Sequence, residues 1–318
     1  MNAIGGYFEL ELPLHEEYHK KGIRLNTGRN AFEYILRAKK YKKVYLPYYT
    51  CDAMLEPIHK LNLEYEFYHI DKRFEPQFNF ESMKPNEVLV YNNYFGICSK
   101  QVKAIAQQCK NVIIDNSQAF FAKPLPDVDT FYSPRKFFGI PDGAYVYTNK
   151  HLEDEFETDI SYQRCEHLLG RIDTGARAHY NTFQHNDNQL VNQPIKKMSN
   201  LTRRLLQSID YEKIAKQRRE NFIQFHNLLS GKNELAIDLH SEDIPMVYPY
   251  LARNNKPLRQ KLIRDGIFTA TYWPNVHQWL ANTDTLEIDF HKNLIALPVD
   301  QRHSNIELTN LVISKLVF

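Results

Sequence analysis

Lys136 is the residue of this sequence whose surroundings best suit covalent chemistry. It lies in the segment TFYSPRKFFGIPDG at residues 130–143, with two aromatic residues before and two after it. A lysine in apolar surroundings loses its proton more easily than one in water, which suits Schiff-base formation with a carbonyl group. A lone lysine is more often a surface residue whose aliphatic stem lies along apolar neighbours. The segment alone leaves both interpretations open.

Asp115 ends the run NVIID at residues 111–115 and is followed by Asn-Ser-Gln-Ala. The run predicts a buried strand. A carboxylate at the C-terminal end of a parallel strand points into the crevice where α/β proteins bind ligands. The alternative is an aspartate that caps the turn after the strand, and the motif alone does not decide between them.

A third motif, Thr27-Gly28-Arg29-Asn30, stands at the start of a predicted helix. Free backbone N–H groups and the helix dipole make such a start a binding site for phosphate. Thr and Asn also cap helices that bind nothing. On its own, the motif favours the plain cap.

Composition excludes several classes of function. The 318 residues are 43% hydrophobic and 25% charged, and 40 Lys and Arg against 38 Asp and Glu leave a formal charge of +2. A protein that binds nucleic acid or an anionic membrane by charge is expected to carry a larger excess of positive residues. Apolar runs are strand-sized, no signal peptide is visible, and the four cysteines form no CxxC pair. We expect a reduced, cytoplasmic protein with no metal site, no nucleic-acid partner and no membrane partner.

Helices and strands alternate through the first half of the chain. The patterns predict helices at 29–38, 52–61 and 101–109, and strands at 42–47, 64–69, 87–91, 111–115 and 143–148. Such alternation predicts parallel βαβ units, hence an α/β domain with its site at the C-terminal ends of the strands.

The second half has a different texture. Residues 181–194 are polar and amide-rich, which predicts a loop, and 201–229 form one long helical pattern. Strands at 245–252, 267–273 and 294–298 and helices at 257–265 and 307–316 then predict a small α+β unit. We expect an N-terminal arm at 1–25, a large domain at 26–210 and a small domain at 211–318.

The order of the motifs resembles one family. TGRN, PYYTCDAMLEPI, NNYFG, IIDNSQAF, FYSPRKFFGIPDGAYVYT, DGIFTATYWP and LIALPVD follow one another along the chain. In this order they resemble the pyridoxal-phosphate-dependent sugar aminotransferases of the DegT/DnrJ/EryC1/StrS type. The resemblance is strongest over residues 110–148. It implies the fold-type-I architecture, with a large, mostly parallel α/β/α domain and a small C-terminal α+β domain.

The resemblance also implies roles for individual residues. Lys136 corresponds to the lysine that binds the cofactor covalently, Asp115 to the carboxylate that pairs with the pyridine nitrogen, and Gln118 to the glutamine beside the ring. It implies that the cofactor phosphate binds at the helix start formed by Gly28, Arg29 and Asn30. It also implies four residues that contact substrate: Asn93, Tyr94, Tyr272 and Trp273.

Three positions depart from the family pattern. Phe131 stands where the family has its phosphate-binding serine, so we expect Ser133 to replace it. Cys51 stands where an aromatic residue stacks on the ring, so Tyr49 is a candidate for that role. The family's Asn-x-Arg-Met segment reads Ile-Lys-Lys-Met at 195–198, and Asn192 or Lys197 is the candidate substitute.

The activity that the resemblance implies is transfer of an amino group from an amino acid, glutamate in our expectation, to a nucleotide-linked keto-sugar for polysaccharide or related sugar biosynthesis. Lys136 argues against the family's dehydratase branch, which has a histidine there. A homodimer with shared active sites is implied, with 181–194 as the contributing segment. Two alternatives stay open: a degenerate homologue that binds or assembles without turnover, and another pyridoxal-phosphate reaction on an amino acid.

Overall fold

Eight strands form the central sheet of the computed structural model, which describes residues 4–253, 255–281 and 284–304. The sheet order is β1-β8-β7-β6-β5-β2-β3-β4. In chain order the strands are β1 (Ile23–Leu25), β2 (Lys43–Pro47), β3 (Glu64–Ile70), β4 (Pro76–Gln77), β5 (Glu87–Asn92), β6 (Val112–Asp115), β7 (Asp129–Tyr132) and β8 (Ala144–Tyr147).

The middle of this sheet is parallel. Strands β3, β2, β5, β6 and β7 run the same way, while β8 is antiparallel to both its neighbours and β4 is antiparallel to β3. Asn92 pairs in register with Asp115, and Asp115 with Phe131. The carboxyl ends of β5, β6 and β7 therefore meet at one edge of the sheet, where α/β proteins place their ligands.

Ten helices accompany the strands in the described ranges. They are α1 (Gly28–Lys39), α2 (Leu55–Lys60), α3 (Ser99–Gln108), α4 (Glu166–Thr174), α5 (Tyr180–Gln189), α6 (Asn200–Leu206), α7 (Tyr211–Leu229), α8 (Lys256–Arg264), α9 (Val276–Trp279) and α10 (Leu286–Asn293). A second sheet pairs β9 (Val247–Leu251) with β10 (Leu294–Pro298) in antiparallel fashion. Short 3₁₀ turns include Tyr94–Gly96 and Pro134–Lys136.

Helix α1 shows how the local sequence sets an element. The Thr27 hydroxyl accepts the Asn30 N–H and so caps the start of the helix, and Lys40 ends it in the left-handed region at φ 59°. Phe32, Ile35 and Leu36, at helical spacing, are buried against the sheet. This packing fixes the first turn of α1 beside the carboxyl ends of β6 and β7.

Alternate residues of β5 face different apolar layers. Val88 and Val90 pack in the cluster that contains α1, whereas Leu89 and Tyr91 pack in the larger cluster on the other face. All residues of β5 are buried, as expected for a central parallel strand covered on both sides. The predicted α/β/α layering, with a smaller α+β unit after it, is confirmed.

Several sequence-based expectations for the second half are wrong. Residues 181–194 are not a loop, because most of them lie in α5; in this helix only Asn186 is buried, so it carries no apolar periodicity. The pattern at 201–229 is two helices, because the Asp210 carboxylate accepts the Lys213 N–H and starts α7 anew. Residues 267–273 pair with no strand in the described part of the chain. The helix predicted at 307–316 lies outside the described residues, and the domain limits stay predictions.

The segment before β1 is anchored by buried polar contacts. Glu17 accepts a hydrogen bond from the Tyr145 hydroxyl at 2.6 Å and is paired with Arg24, whose guanidinium nitrogen lies 2.7 Å away. His19 is buried, with Nε2 2.7 Å from the Phe120 carbonyl oxygen and Nδ1 3.2 Å from the Tyr147 hydroxyl. The chain before β1 is thus fixed to the sheet from Glu17 onward.

We expect His19 to make the fold acid-sensitive. Burial lowers the pKa of His19 from 6.5 to about 4, so below pH 6.5 the unfolded chain takes up a proton that the folded chain does not. Stability is therefore lost as pH falls from 6.5 toward 4. At pH 4.5 the loss is about 2 kcal/mol relative to pH 7.

The measurement is urea unfolding of wild type and His19→Gln at pH 7 and pH 4.5. Glutamine does not titrate. The free energy of unfolding should therefore differ less between pH 7 and pH 4.5 in the variant than in wild type, by that amount, whatever the substitution costs at pH 7. An equal pH dependence in both proteins would contradict the neutral, buried histidine.

Each helix in the described residues is too short or too polar to cross a lipid bilayer.

Candidate active site

Lys136 lies in the 3₁₀ turn Pro134–Lys136 that follows β7. Pro134 begins the turn and its carbonyl accepts the Phe137 N–H at 2.9 Å. The turn directs the flanking aromatic rings of Phe137 and Phe138 into the core, whereas Lys136 is exposed. The expectation that Lys136 sits in apolar surroundings is therefore wrong: the aromatic residues anchor its turn, and Lys136 itself is exposed.

Asp115 lies at the carboxyl end of β6, near Lys136. Its Oδ1 accepts the Ser117 N–H at 2.7 Å. Burial raises the pKa of Asp115, and the positive charge of Lys136 and the bonds from Ser117 partly offset this. Asp115 therefore does cap the turn after β6, but its carboxylate also interacts with the positive charge of Lys136. A cation bound next to it would stabilise its charged form further.

Gly28 forms the floor of a small cradle with two serines. A Cβ on Gly28 would lie 3.6 Å from the Ser133 Cβ and 3.9 Å from the hydroxyl oxygens of both Ser117 and Ser133. The first-turn N–H groups of a helix have no partner within the helix, and here Thr27 caps only that of Asn30. Two hydroxyls facing a helix start form an anion-binding arrangement.

Ser117 was not among the residues singled out from the sequence. It stands two residues after Asp115, in the motif IIDNSQAF. Its position could have identified it, because it lies in the turn after a strand whose end faces the ligand crevice, and such a turn directs its side chains toward the same crevice.

The side chains of Arg29 and Asn30 are directed to protein partners. The Arg29 Nε lies 3.1 Å from a Glu56 oxygen, and the Asn30 amide donates to the carbonyls of Gln193 and Pro194. The Asn30 side chain and N–H are therefore both engaged within the protein, and the Arg29 guanidinium is paired with Glu56. Their side chains hold α2 and the segment after α5 against the start of α1.

Gln118 follows Ser117 in the chain and bonds to the turn after β5. Its Oε1 accepts the Phe95 N–H at 2.9 Å. Its Nε2 is buried and has no hydrogen-bond partner in the described part of the chain. A buried donor without a partner is costly, and it marks a place where a bound ligand would supply the acceptor.

The two positions considered for ring stacking differ in environment. Tyr49 is fully buried, with its ring 4.8 Å from that of Trp273, and its hydroxyl is buried without a partner among the described residues. Cys51 is half-buried; burial raises the pKa of its thiol, and the charges of Lys136 and Arg29 oppose that rise. Cys51 is thus the position of the two that lies toward Lys136.

Asn93 and Tyr94 are used within the protein. The Asn93 amide donates to the Asn116 Oδ1 at 2.9 Å and its Oδ1 accepts the Cys98 N–H at 3.2 Å. The Tyr94 hydroxyl donates to the Tyr49 carbonyl at 2.9 Å. Both side chains are buried. They hold the turn after β5 to its neighbours, which the sequence motif NNYFG did not indicate.

Tyr272 and Trp273 join the segment after α8 to the aromatic residues near the sheet edge. The Tyr272 ring lies 5.6 Å from the Phe95 ring, and burial raises its pKa. Trp273 is buried against Tyr49. The two candidate substitutes for the family's Asn-x-Arg-Met segment, Asn192 and Lys197, are both exposed.

The pentapeptide HEEYH at residues 15–19 has the His-Glu-x-x-His spacing of zinc proteases. That motif binds zinc when both histidines lie on one helix, and no helix covers these residues. Both ring nitrogens of His19 also have protein partners. In the described ranges no group of three or more His, Cys, Asp or Glu residues could hold a metal ion.

No family model matches this sequence, and no curated protein does. Solved structures match most of the chain. A DegT/DnrJ/EryC1/StrS aminotransferase from Brucella abortus is 14% identical, with a TM-score of 0.62 over 92% of this chain and 84% of that one. Spr1654 from Streptococcus pneumoniae in its PLP-form is 13% identical, with a TM-score of 0.65 over 92% and 85% of the two chains.

S. venezuelae DesV, solved in complex with a ketimine intermediate, is 14% identical, with a TM-score of 0.64 over 93% of this chain and 85% of that one. At such identities the likeness establishes the fold. The chain has the fold-type-I architecture of the DegT/DnrJ/EryC1/StrS aminotransferases.

Proposed function

We propose that the protein is a pyridoxal-phosphate-dependent aminotransferase, which transfers an amino group from an amino acid, glutamate in our proposal, to a nucleotide-linked keto-sugar. One observation carries this proposal. Lys136 and Asp115 lie close enough for their charges to interact, and the cradle of Gly28, Ser117 and Ser133 takes one serine from the turn after each of their strands, on the fold that the sugar aminotransferases share.

The residues present fit pyridoxal phosphate. A Cβ at position 28 would lie in van der Waals contact with the cradle, so the glycine leaves that space beside the two hydroxyls free. Gln118 Nε2 is a buried donor that lacks an acceptor among the described residues. A phosphate needs several donors, and a pyridine ring needs a carboxylate, which Asp115 supplies.

When bound, pyridoxal phosphate supplies an aldehyde that takes up an amino group and a ring that withdraws electrons. The Asp115 carboxylate holds a proton on the ring nitrogen, which maintains that electron withdrawal. Burial makes this carboxylate a better partner for a cation, because its charged form is poorly solvated without one.

Lys136 has two roles in this proposal. Lys136 would hold the cofactor through its aldehyde carbon, with loss of water, and once the amine of an amino acid had displaced it, the freed Lys136 amine would be the base for the proton at the amino acid's Cα. The exposed position of Lys136 leaves its amine accessible to a substrate. The backbone N–H groups at the start of α1, together with Ser117 and Ser133, orient the phosphate.

A homodimer with shared active sites is part of the proposal. Large apolar side chains on α4 and α5 are exposed in the single chain: Leu169, Ile172, Tyr180 and Phe183 have exposed fractions of 59%, 83%, 57% and 40%. A second subunit covering these helices would bury that surface. Helix α5, in place of the loop we expected at 181–194, is then the contributing element. A role in polysaccharide or related sugar biosynthesis and a cytoplasmic location stay predictions.

The experiment is a pair of half-reactions. Purified protein is loaded with pyridoxal phosphate, freed of excess, and mixed with glutamate; we expect the visible absorption band to disappear and one equivalent of 2-oxoglutarate to form per site. A panel of nucleotide keto-sugars should then restore the band. Failure to bind the cofactor would support the alternative of a degenerate homologue, which acts as a binding or assembly partner and catalyses no reaction. Restoration by keto acids alone would support another reaction on an amino acid.

Ser133→Ala should weaken the binding of pyridoxal phosphate by roughly 1.5–3 kcal/mol, the contribution of a hydrogen bond to a charged group. Ser117→Ala should weaken it less, because the Ser117 hydroxyl, although equally far from the Gly28 position, also bonds to Asp115. The measurement is titration of the apo variants with the cofactor. Ser82→Ala, which removes an exposed hydroxyl bonded to the Asn79 carbonyl, is the control. Unchanged dissociation constants in both cradle variants would refute the cradle.

A further inference from the structure

Arg218 is a buried cation with an unusual set of partners. It lies in α7 and is 2% exposed. Its guanidinium donates to the carbonyls of Pro245 at 3.3 Å, Met246 at 3.1 Å and Phe137 at 3.5 Å. The charge of Asp300 favours the cationic form, although Asp300 itself pairs with Arg302 at 2.7 Å. Burial lowers the pKa of Arg218 to about 10, which leaves it charged at neutral pH.

A charged group is costly to bury, so a buried arginine that binds mainly carbonyls calls for an explanation. Two of its contacts, and one made by Gln301, converge on Phe137, the residue that follows Lys136. The guanidinium lies over the Phe137 ring, 4.6 Å from its centroid, and one of its nitrogens donates to the Phe137 carbonyl. The Gln301 amide donates to that same carbonyl at 3.0 Å.

The turn that carries Lys136 is therefore held by side chains from other elements of the fold. Its internal bonds run from the Lys136 N–H to the Ser133 carbonyl at 3.4 Å, and from the Phe137 and Phe138 N–H groups to the Pro134 carbonyl at 2.9 and 3.0 Å. A single 3₁₀ turn has weak hydrogen-bond geometry and little rigidity of its own. Arg218 and Gln301, which come from α7 and from the segment after β10, fix its C-terminal end.

We propose that Arg218 and Gln301 are positioning residues for Lys136, which hold the Phe137 carbonyl so that the Lys136 amine faces the cradle. The inference rests on the proposed function, since the amine must meet an aldehyde bound there. Small displacements of a reacting group cost large factors in reactivity. Freeing the carbonyl should therefore weaken the attachment of Lys136 and leave phosphate binding at Gly28, Ser117 and Ser133 intact.

The test compares Arg218→Met and Gln301→Leu with a matched control. Arg219→Met removes the neighbouring arginine of α7, which also binds two carbonyls, those of His240 at 2.6 Å and Asp243 at 2.9 Å, but makes no contact with the Lys136 turn. Two quantities are measured. One is the dissociation constant for pyridoxamine phosphate, which has no aldehyde for Lys136. The other is the fraction of Lys136 attached to pyridoxal phosphate, trapped with borohydride and quantified by peptide mass.

We expect Arg218→Met to lower the attachment equilibrium about tenfold and Gln301→Leu about threefold, the range for losing one or two hydrogen bonds. The pyridoxamine phosphate constant should stay within about twofold of wild type in both. Arg219→Met should change neither quantity. If Arg218→Met does not fold, Gln301→Leu decides alone.

Attachment equal to wild type in the variants would overturn the inference. An equal loss of attachment and pyridoxamine phosphate affinity would also overturn it, because it would show general damage to the site. Absence of attachment in wild type would instead overturn the proposed function, and the inference with it.

Discussion

Lys136→Ala should abolish covalent attachment of pyridoxal phosphate and slow the half-reaction with glutamate by at least about 10³-fold. The substitution removes both the amine that bonds to the aldehyde and the base that takes the Cα proton, and a positioned base alone contributes about 10² to 10⁴. The stability of the fold should change little, because Lys136 is exposed and its turn is anchored by Phe137 and Phe138.

The measurement is a single-turnover reaction of cofactor-loaded protein with glutamate, followed by absorption. Lys123→Ala is the matched control, since Lys123 is also exposed and follows the same sheet edge. The control should react like wild type. A Lys136→Ala protein that still attaches the cofactor and turns over would show that another residue performs this chemistry.

Asp115→Asn is the second large effect that we expect. The variant should bind pyridoxal phosphate but carry out the half-reaction about 10² to 10⁴ times more slowly. An amide can still accept the Ser117 N–H, which preserves the turn after β6. It cannot hold a proton on the ring nitrogen, so electron withdrawal by the ring is lost.

Binding and rate are measured separately, by cofactor titration and by single-turnover kinetics at saturating cofactor. Asp127→Asn is the control: Asp127 is exposed and adopts a φ of 59°, a conformation that asparagine also tolerates. Half-reaction rates near wild type in Asp115→Asn would contradict the role of this carboxylate. Loss of binding alone would make it a structural residue of the turn.

Much of the large sheet is predictable because the burial of each strand is visible in the strand's own sequence. Strands such as Glu87–Asn92 are buried on both faces, so they appear as continuous apolar runs separated by helical periods. Asp115 could be placed at a ligand-facing edge from this alternation alone. Strand β7 was not predicted, because its four residues merge into the aromatic segment that carries Lys136.

Other features depend on tertiary contacts that no local pattern encodes. The aromatic residues around Lys136 predict an apolar pocket for its amine, yet the 3₁₀ turn separates them, with rings inward and amine outward. The side chains of Asn30 and Asn93 find distant partners, at Pro194 and Asn116. Helix α5 escaped prediction because a polar helix with one buried residue has no hydrophobic period.

The central claim is that Lys136 is the residue that binds pyridoxal phosphate. Its most direct test is to incubate the wild-type protein with the cofactor, reduce it with borohydride, digest it and locate the added mass by tandem mass spectrometry. We predict one modified peptide per chain, with the cofactor on Lys136. An unmodified protein, or a modification spread over other lysines such as Lys123 while Lys136 stays free, would contradict the account.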